Sequence, residues 1–321
     1  MNSIQSILST AKQTIDLERD AIANLSQLLT DDFANAVSLI YNSKGRVIIT
    51  GIGKSAIIAN KIVATLNSTG TPSVFMHAAD AIHGDLGLIL EDDVVICISK
   101  SGNTPEIMVL VPFIKNAHNT LIAITGNNSS FLAQQADFIL NAYVAQEACP
   151  NNLAPTTSTT AQLVIGDALA ICLSEMKGFK ENDFAKFHPG GSLGKKLHLR
   201  VKDLLSKNLK PAVDFDESFK NIVDEISKKM LGATAVLKNG LAVGIITDGD
   251  LRRFFSKNSD SKSVKASDLM SSSPKKINSE ILASEALKLM NKNKITQLIV
   301  EDKNNYLGII HLHNILNEGI S

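Results

Sequence analysis

Only three cysteines occur in the 321 residues, Cys97, Cys149 and Cys172, scattered and odd in number. That excludes a disulfide framework and a cysteine metal cluster, and it points to a reducing compartment. Cys97 lies inside an apolar strand pattern and reads as inert core. An excess of one charge is also lacking, since 32 Lys and Arg stand against 32 Asp and Glu. Balanced charge argues against nucleic acid or an anionic membrane surface as the main partner. No apolar run reaches membrane-spanning length. The opening stretch, MNSIQSILSTAKQTIDLERD, has no basic-then-apolar signal pattern. These absences predict a cytoplasmic protein with no membrane and no nucleic-acid partner.

What is present centres on Ser99-Lys100-Ser101-Gly102-Asn103-Thr104-Pro105-Glu106. An apolar strand, Val94 to Ile98, precedes it, and a helical pattern, Ile107 to Lys115, follows. A strand-to-helix turn of this composition can cradle a dianion. The free N–H groups and the dipole of a helix start favour negative charge. Ser99, Ser101 and Thr104 add hydroxyl donors, Gly102 admits close backbone approach, and Pro105 suits the first turn.

A second such loop, Gly51-Ile52-Gly53-Lys54-Ser55-Ala56, follows the strand pattern Arg46 to Thr50. A phosphate-binding loop of the Walker type would need its first glycine where Ile48 stands. The loose dinucleotide fingerprint fits, but the next strand ends at Phe75-Met76-His77 with no acidic residue for a ribose hydroxyl. The remaining reading is a sugar-phosphate site with Ser55 near the phosphate and Lys54 over the sugar.

The length predicts two or more domains. Apolar residues at helical spacing predict a helix from Ser3 to Leu29, which either packs on its own domain or meets another subunit. A second helix is expected over Asp32 to Asn42. Strands follow near 46–50, 73–76, 93–98, 121–125 and 137–142, with helices near 55–67, 105–116, 130–135 and 156–176. Short apolar strands alternating with helices predict an α/β fold, a doubly wound parallel five-stranded sheet covered on both faces. Both loops then leave carboxyl ends of strands, where ligands bind in such sheets.

From Val201 an internal repeat appears. Ala233 to Ile246 matches Ile295 to Ile310, each copy preceded by an amphipathic helix, Phe219 to Met230 and Ala283 to Lys292. Upstream, Val201-Lys202-Asp203-Leu204-Leu205 matches Ala266-Ser267-Asp268-Leu269-Met270. Such short α+β copies cannot bury their faces alone and should pair. The expected division is 1–200 for the α/β domain, then 201–260 and 261–321 for the two copies.

The two loops, with His83-Gly84-Asp85-Leu86-Gly87, Glu147-Ala148-Cys149-Pro150, Leu153 to Thr160 and His188-Pro189-Gly190-Gly191, resemble the sugar isomerase (SIS) family. The repeat resembles a tandem of cystathionine-β-synthase-type (CBS) modules. Together they resemble the family members that interconvert D-ribulose 5-phosphate and D-arabinose 5-phosphate. The resemblance covers nearly the whole chain. It implies a flavodoxin-like sheet, an aldose–ketose isomerase working through a cis-enediol, a homotetramer, and supply of 3-deoxy-D-manno-octulosonate (Kdo) for lipopolysaccharide. Phosphoheptose and 3-hexulose-6-phosphate isomerases share the fold and remain alternatives. So does a non-catalytic sugar-phosphate sensor, although no basic helix-turn-helix is found for one.

Such an isomerase must hold a phosphate, move a proton between C1 and C2, and stabilise an enediolate. Gly53, Ser55, Ser99, Ser101 and Thr104 are the candidates for binding substrate, and Lys54 for offsetting charge on the C1 and C2 oxygens. Glu147 is preferred as the base, with Glu106 second, and His188 as the acid–base group for ring opening or the oxygen-bound protons. The resemblance implies the same quartet, Lys54, Glu106, Glu147 and His188. It leaves open which carboxylate takes the carbon-bound proton. Glu106 also gains from the helix dipole alone, whereas no structural role is evident for Glu147 in the sequence.

His77 and His83, beside Asp80 and Asp85, are two ligands short of a zinc site, so His83 is expected to line the pocket, with an inhibitory metal there conceivable. Proton transfer needs no metal and no other cofactor. In the first repeat, Thr247 and Asp250 match a pattern that contacts nucleotide ribose and phosphate in the CBS family, for which CMP-Kdo is a logical ligand. The second repeat has His311 and Asn314 at those places, so an equivalent second site is not expected.

Overall fold

The computed structural model describes residues 4–205, 210–257, 261 and 263–320. Ser3 and Asp260, the expected start of the first helix and end of the first repeat, lie outside the described residues. The chain forms two compact units, Met1–Phe187 and His188–Ser321.

In the first unit, α1 (Ile4–Leu28) and α2 (Asp31–Asn42) precede β1 (Val47–Gly51), α3 (Lys54–Ser68), β2 (Ser73–His77) and α4 (Ala78–Ala81). A 3-10 turn at Asp85–Leu88 leads to β3 (Val94–Ile98), α5 (Pro105–Asn116), β4 (Leu121–Thr125), α6 (Phe131–Gln135), β5 (Phe138–Asn141), α7 (Thr157–Met176) and α8 (Glu181–Phe187). The strands pair in parallel in the order β2-β1-β3-β4-β5. Every residue of β1, β3 and β4 is buried, which is why they read as unbroken apolar runs. Val47, Ile49, Ile96 and Ile122 face α2, α3 and α7, while Ile48, Val95, Cys97 and Leu121 face α4, α5 and α6. Each such side chain contributes roughly 1.5–3 kcal/mol on burial. Burial also raises the Cys97 thiol to about 12, so it stays a thiol.

Two details fix the frame. Buried Asp93 accepts from the Arg46 amide at 2.7 Å, Arg46 Nη2 at 2.7 Å and the Leu90 amide at 3.0 Å, pinning the starts of β1 and β3. Gly166 lets α7 lie close on α3, since a Cβ there would fall 2.2 Å from Ile62 Cδ1. The order of strands reverses direction between β1 and β3. Their register runs from Val47↔Val94 to Gly51↔Ile98, so the loops leaving both carboxyl ends begin side by side and diverge to opposite faces. The expected apolar stripe of α1 is real, but it is covered only in part: Leu25 is buried, whereas Ile4, Ile7, Leu8 and Ile15 are exposed.

The second unit opens on the His188-Pro189-Gly190-Gly191 turn, where the Gly191 amide donates to the His188 carbonyl at 3.1 Å. Then come α9 (Ser192–His198), α10 (Val201–Leu205), β6 (Ala212–Asp214), α11 (Phe219–Lys229), β7 (Ala233–Lys238), β8 (Leu241–Thr247) and α12 (Asp248–Phe255). The second copy comprises α13 (Ala266–Leu269), β9 (Lys276–Asn278), α14 (Ala283–Asn293), β10 (Gln297–Asp302), β11 (Asn305–His311) and α15 (Leu312–Leu316). The repeat is visible in detail. Both hairpins are bulged at equivalent places, after Val236 and Val300, and α11 and α14 end on left-handed residues, Met230 and Lys294. The copies do pair: Ala233, Ala235 and Ala242 pack with Ile299, Tyr306 and Ile309. The leading helices cross over. Val201 and Leu204 of α10 join the core of the second copy, and Ala266 of α13 joins that of the first.

Candidate active site

The first loop turns on Gly53, with φ +57 and ψ −127. A Cβ there would meet open space, so the backbone conformation, not crowding, calls for glycine. Lys54 begins α3 and is exposed. Ser55 Oγ donates to Oε1 of Gln162, a buried residue of α7, at 3.1 Å.

The second loop is internally braced. Ser99 Oγ lies 2.8 Å from Thr104 Oγ1 and accepts the Gly102 amide at 3.1 Å. Ser101 Oγ accepts the Asn103 amide at 3.2 Å, and Asn103 Oδ1 accepts the Phe131 amide at 2.8 Å. Gly102 has φ +65, and a Cβ on it would fall 2.0 Å from Ser130 Oγ. Thr104 precedes α5 without a side-chain cap, and Pro105 starts the helix. That leaves the first turn of α5 open to an anion. Glu106 is half-buried in that turn, with no hydrogen-bond partner among the described residues.

Glu147 has the structural role that its sequence surroundings conceal. Its side chain is 1% exposed, and Lys100 Nζ lies 2.6 Å from Oε1. Oε2 accepts the Thr156 amide at 2.8 Å, the Ser158 amide at 3.1 Å and Thr156 Oγ1 at 3.3 Å. Burial alone would raise this carboxyl group. The donors from Lys100, Ser158 and Thr156 outweigh burial and hold it down to about 2. A bonded chain therefore runs from Ser55 through Gln162 to the start of α7, and from there through Glu147 to Lys100 in the second loop. The neighbouring Cys149 thiol sits on the amides of Ala154, Leu153, Asn151 and Asn152, which draw its pKa below the ordinary value.

His83 is exposed after α4, and His77 Nδ1 lies 3.7 Å from Asp80 Oδ2. Among the described residues no three His, Cys, Asp or Glu side chains converge on a point that would hold a metal. His188 belongs to the second unit. There, Thr247 and Asp250 line a cavity of about 340 Å³ together with Arg253, Ser273, Lys275 and Asn293. Asp250 accepts from the Thr247 amide at 2.8 Å and from Thr247 Oγ1 at 2.6 Å, and it pairs with Arg253 Nη2. Sequence reasoning missed Lys100, Gln162 and Asn103 as builders of the site. Lys100 had a signal, as the cation between two singled-out serines. Gln162 had none, because its partner lies 107 residues away.

The class follows from family comparison: the SIS domain family matches residues 39–172, and the CBS domain family matches 201–257 and 266–320. Arabinose 5-phosphate isomerase KdsD of Pseudomonas aeruginosa is 47% identical over 326 residues, covering 100% of both chains. Arabinose 5-phosphate isomerase KpsF of Escherichia coli O6:H1 strain CFT073 is 46% identical, covering 95% of this chain and 94% of its own. A solved structure of an E. coli CFT073 protein in complex with arabinose 5-phosphate is 41% identical with a TM-score of 0.57 and covers 58% of this chain and 100% of that chain. The chain belongs to the arabinose 5-phosphate isomerase family.

Proposed function

We infer that the chain interconverts D-ribulose 5-phosphate and D-arabinose 5-phosphate by proton transfer through a cis-enediol. The full-length identity to arabinose 5-phosphate isomerases carries this reading. The substrate phosphate sits in the Ser99–Thr104 loop at the start of α5, with Ser55 beside it. Glu147 takes the proton from C2 of the aldose. The electron pair of that C–H bond forms the C1=C2 bond, and the carbonyl oxygen accepts the charge. Returning the proton to C1 leaves the ketone at C2. Lys54 offsets the charge on the two oxygens, Glu106 is the second candidate for the base, and His83 contacts the substrate. His188 handles ring opening and the oxygen-bound protons. No redox cofactor is required, because no hydride leaves the substrate.

The product supplies Kdo synthesis for lipopolysaccharide, in the cytoplasm. The exposed apolar stripe of α1 supports a subunit contact and a homotetramer. The Thr247–Asp250 cavity takes a regulatory nucleotide, with CMP-Kdo the favoured one.

Proton NMR of ribulose 5-phosphate in heavy water tests the reaction. Arabinose 5-phosphate carrying deuterium at C2 is expected. Release of arabinose 5-phosphate without deuterium at C2 would reject proton exchange with solvent, and no turnover would reject the activity. Glu147→Gln should abolish the exchange, and persistence of exchange would move the base to Glu106.

A further inference from the structure

Lys100 stands inside the phosphate loop, between Ser99 and Ser101, yet its ammonium is engaged by Glu147 Oε1 at 2.6 Å. The two oxygens of Glu147 are unequally held. Oε2 takes three donors from Thr156 and Ser158, whereas Lys100 is the donor on Oε1 among the described residues. A carboxylate that removes a carbon-bound proton must present a free lone pair. Oε2 is tied to the start of α7, so Oε1 is the oxygen for the task, and Lys100 covers it. The cover is movable: the Lys100 side chain is 45% exposed, while that of Glu147 is 1% exposed. A phosphate dianion among the hydroxyls that flank Lys100 offers its ammonium more charge than one carboxylate does.

We propose that Lys100 is a phosphate-drawn cover for Glu147: in the free protein it caps Oε1, and a substrate phosphate in the Ser99–Thr104 loop pulls the ammonium away and uncovers that oxygen. This rests on Glu147 being the base. Phosphate binding and proton transfer become coupled, so that sugars lacking a phosphate meet a covered base. Loss of the lysine from Oε1 also raises the proton affinity of Glu147, because burial then faces fewer opposing donors. Among the described residues, titratable or charged groups around this segment include Cys149 on the same loop, Glu18 of α1 against Thr160, and Asp20 of α1 and Tyr143 beside Gln146.

The full chain is assayed with unphosphorylated D-ribulose, with and without phosphite dianion. The wild type is expected to turn over D-ribulose slowly and to gain about tenfold from phosphite, the worth of one charge-assisted bond. Lys100→Met should start about tenfold higher without phosphite, lose most of the stimulation, and show a raised KM for ribulose 5-phosphate. Lys100→Arg, which keeps a cation for Oε1 and for phosphite, should keep the stimulation that Lys100→Met loses. A Lys100→Met protein that keeps the full stimulation, or is slower than wild type on D-ribulose, overturns the proposal. In the wild type with carbon-13 in its glutamate carboxyl groups, phosphite at neutral pH should shift the Glu147 carboxyl resonance as Lys100 leaves Oε1, and an unshifted resonance overturns the proposal even if the Lys100 variants fail to fold. Exchange at C2 persisting in Glu147→Gln would instead overturn the assignment of the base. Glu147→Gln inert beside a Lys100→Met protein that keeps the full stimulation sinks the cover alone.

Discussion

Gly102→Ala offers a stringent test of the phosphate loop. Gly102 has φ +65, and its added Cβ would lie 2.0 Å from Ser130 Oγ and 2.5 Å from Ser130 Cβ. Holding a side chain in the left-handed region costs about 1–2 kcal/mol. Overpacking costs about 1–3 kcal/mol more. Ser130 cannot easily yield, because it is buried and its Oγ caps α6 by accepting the Ala133 amide at 3.3 Å. Losing that cap would cost about 1 kcal/mol. The loop must therefore shift, and with it the Gly102 amide on Ser99 Oγ and the Gly102 carbonyl that accepts the Leu132 amide at 3.0 Å. We expect a stability loss of about 2–5 kcal/mol, read by urea unfolding, a large share of the roughly 5–15 kcal/mol of an ordinary domain. At low temperature, where the variant stays folded, KM for ribulose 5-phosphate should rise about tenfold or more. Adding Ser130→Gly should recover the steric part and leave the backbone part, as a double-mutant cycle would register. A Gly102→Ala protein with unchanged midpoint and KM, or a double variant with no recovery, would refute the reasoning.

Acid should weaken the first unit in a defined window. Glu147 and Asp93 have folded pKa values below their ordinary ones. The stability they supply is thus complete above the ordinary carboxylate range and is lost as pH falls from about 4.5 toward about 2. With Lys100 partly exposed and screened, Glu147 accounts for about 2 kcal/mol, and Glu147→Gln should lessen the fall of the urea midpoint across that window, leaving the share of Asp93. A wild-type midpoint that stays level there contradicts the donor set. Gln162→Leu leaves the Ser55 hydroxyl without its acceptor and should cost about 1–3 kcal/mol, with a raised KM. A variant as stable as wild type would show that the bond contributes nothing. Calorimetric titration with AMP, ATP and CMP-Kdo should give heat with at least one, abolished by Asp250→Ala, and three silent titrations would remove the nucleotide from the second unit.

The sheet was legible because both its faces are covered. β1, β3 and β4 have no solvent face to interrupt the apolar run, so position and type followed from five residues each. The long helices α5 and α7 declared themselves through Pro105 and the Thr156 cluster. The repeat was legible as a repeat, but not the crossing of its leading helices, because Val201 and Ala266 are apolar whichever copy they join. The site divided along the same line. Residues proposed to hold a ligand through their own loop, such as Ser99 and Thr104, stood out in order along the chain. Residues that act through a distant partner did not: Lys100 and Glu147 are 47 positions apart, and nothing local to Glu147 announces the helix start it caps.

The same distance explains how the crevice stays in register. Its two phosphate-type loops lead into helices on opposite faces of the sheet, α3 and α5, so neither helix can brace both. The start of α7 supplies the missing link. Gln162 holds Ser55 at the head of α3, and the Thr156 and Ser158 amides hold Glu147, whose other oxygen reaches Lys100 in the loop before α5. Thr157, Ser158 and Gln162 are buried there, and Gly166 one turn on keeps the helix tight against Ile62. Polar residues at the buried start of an otherwise apolar helix are costly unless satisfied. Gln162 bonds Ser55 of one loop, and the Thr156 and Ser158 amides bond Glu147, which reaches Lys100 of the other, so polar groups at the buried start of α7 join the two loops.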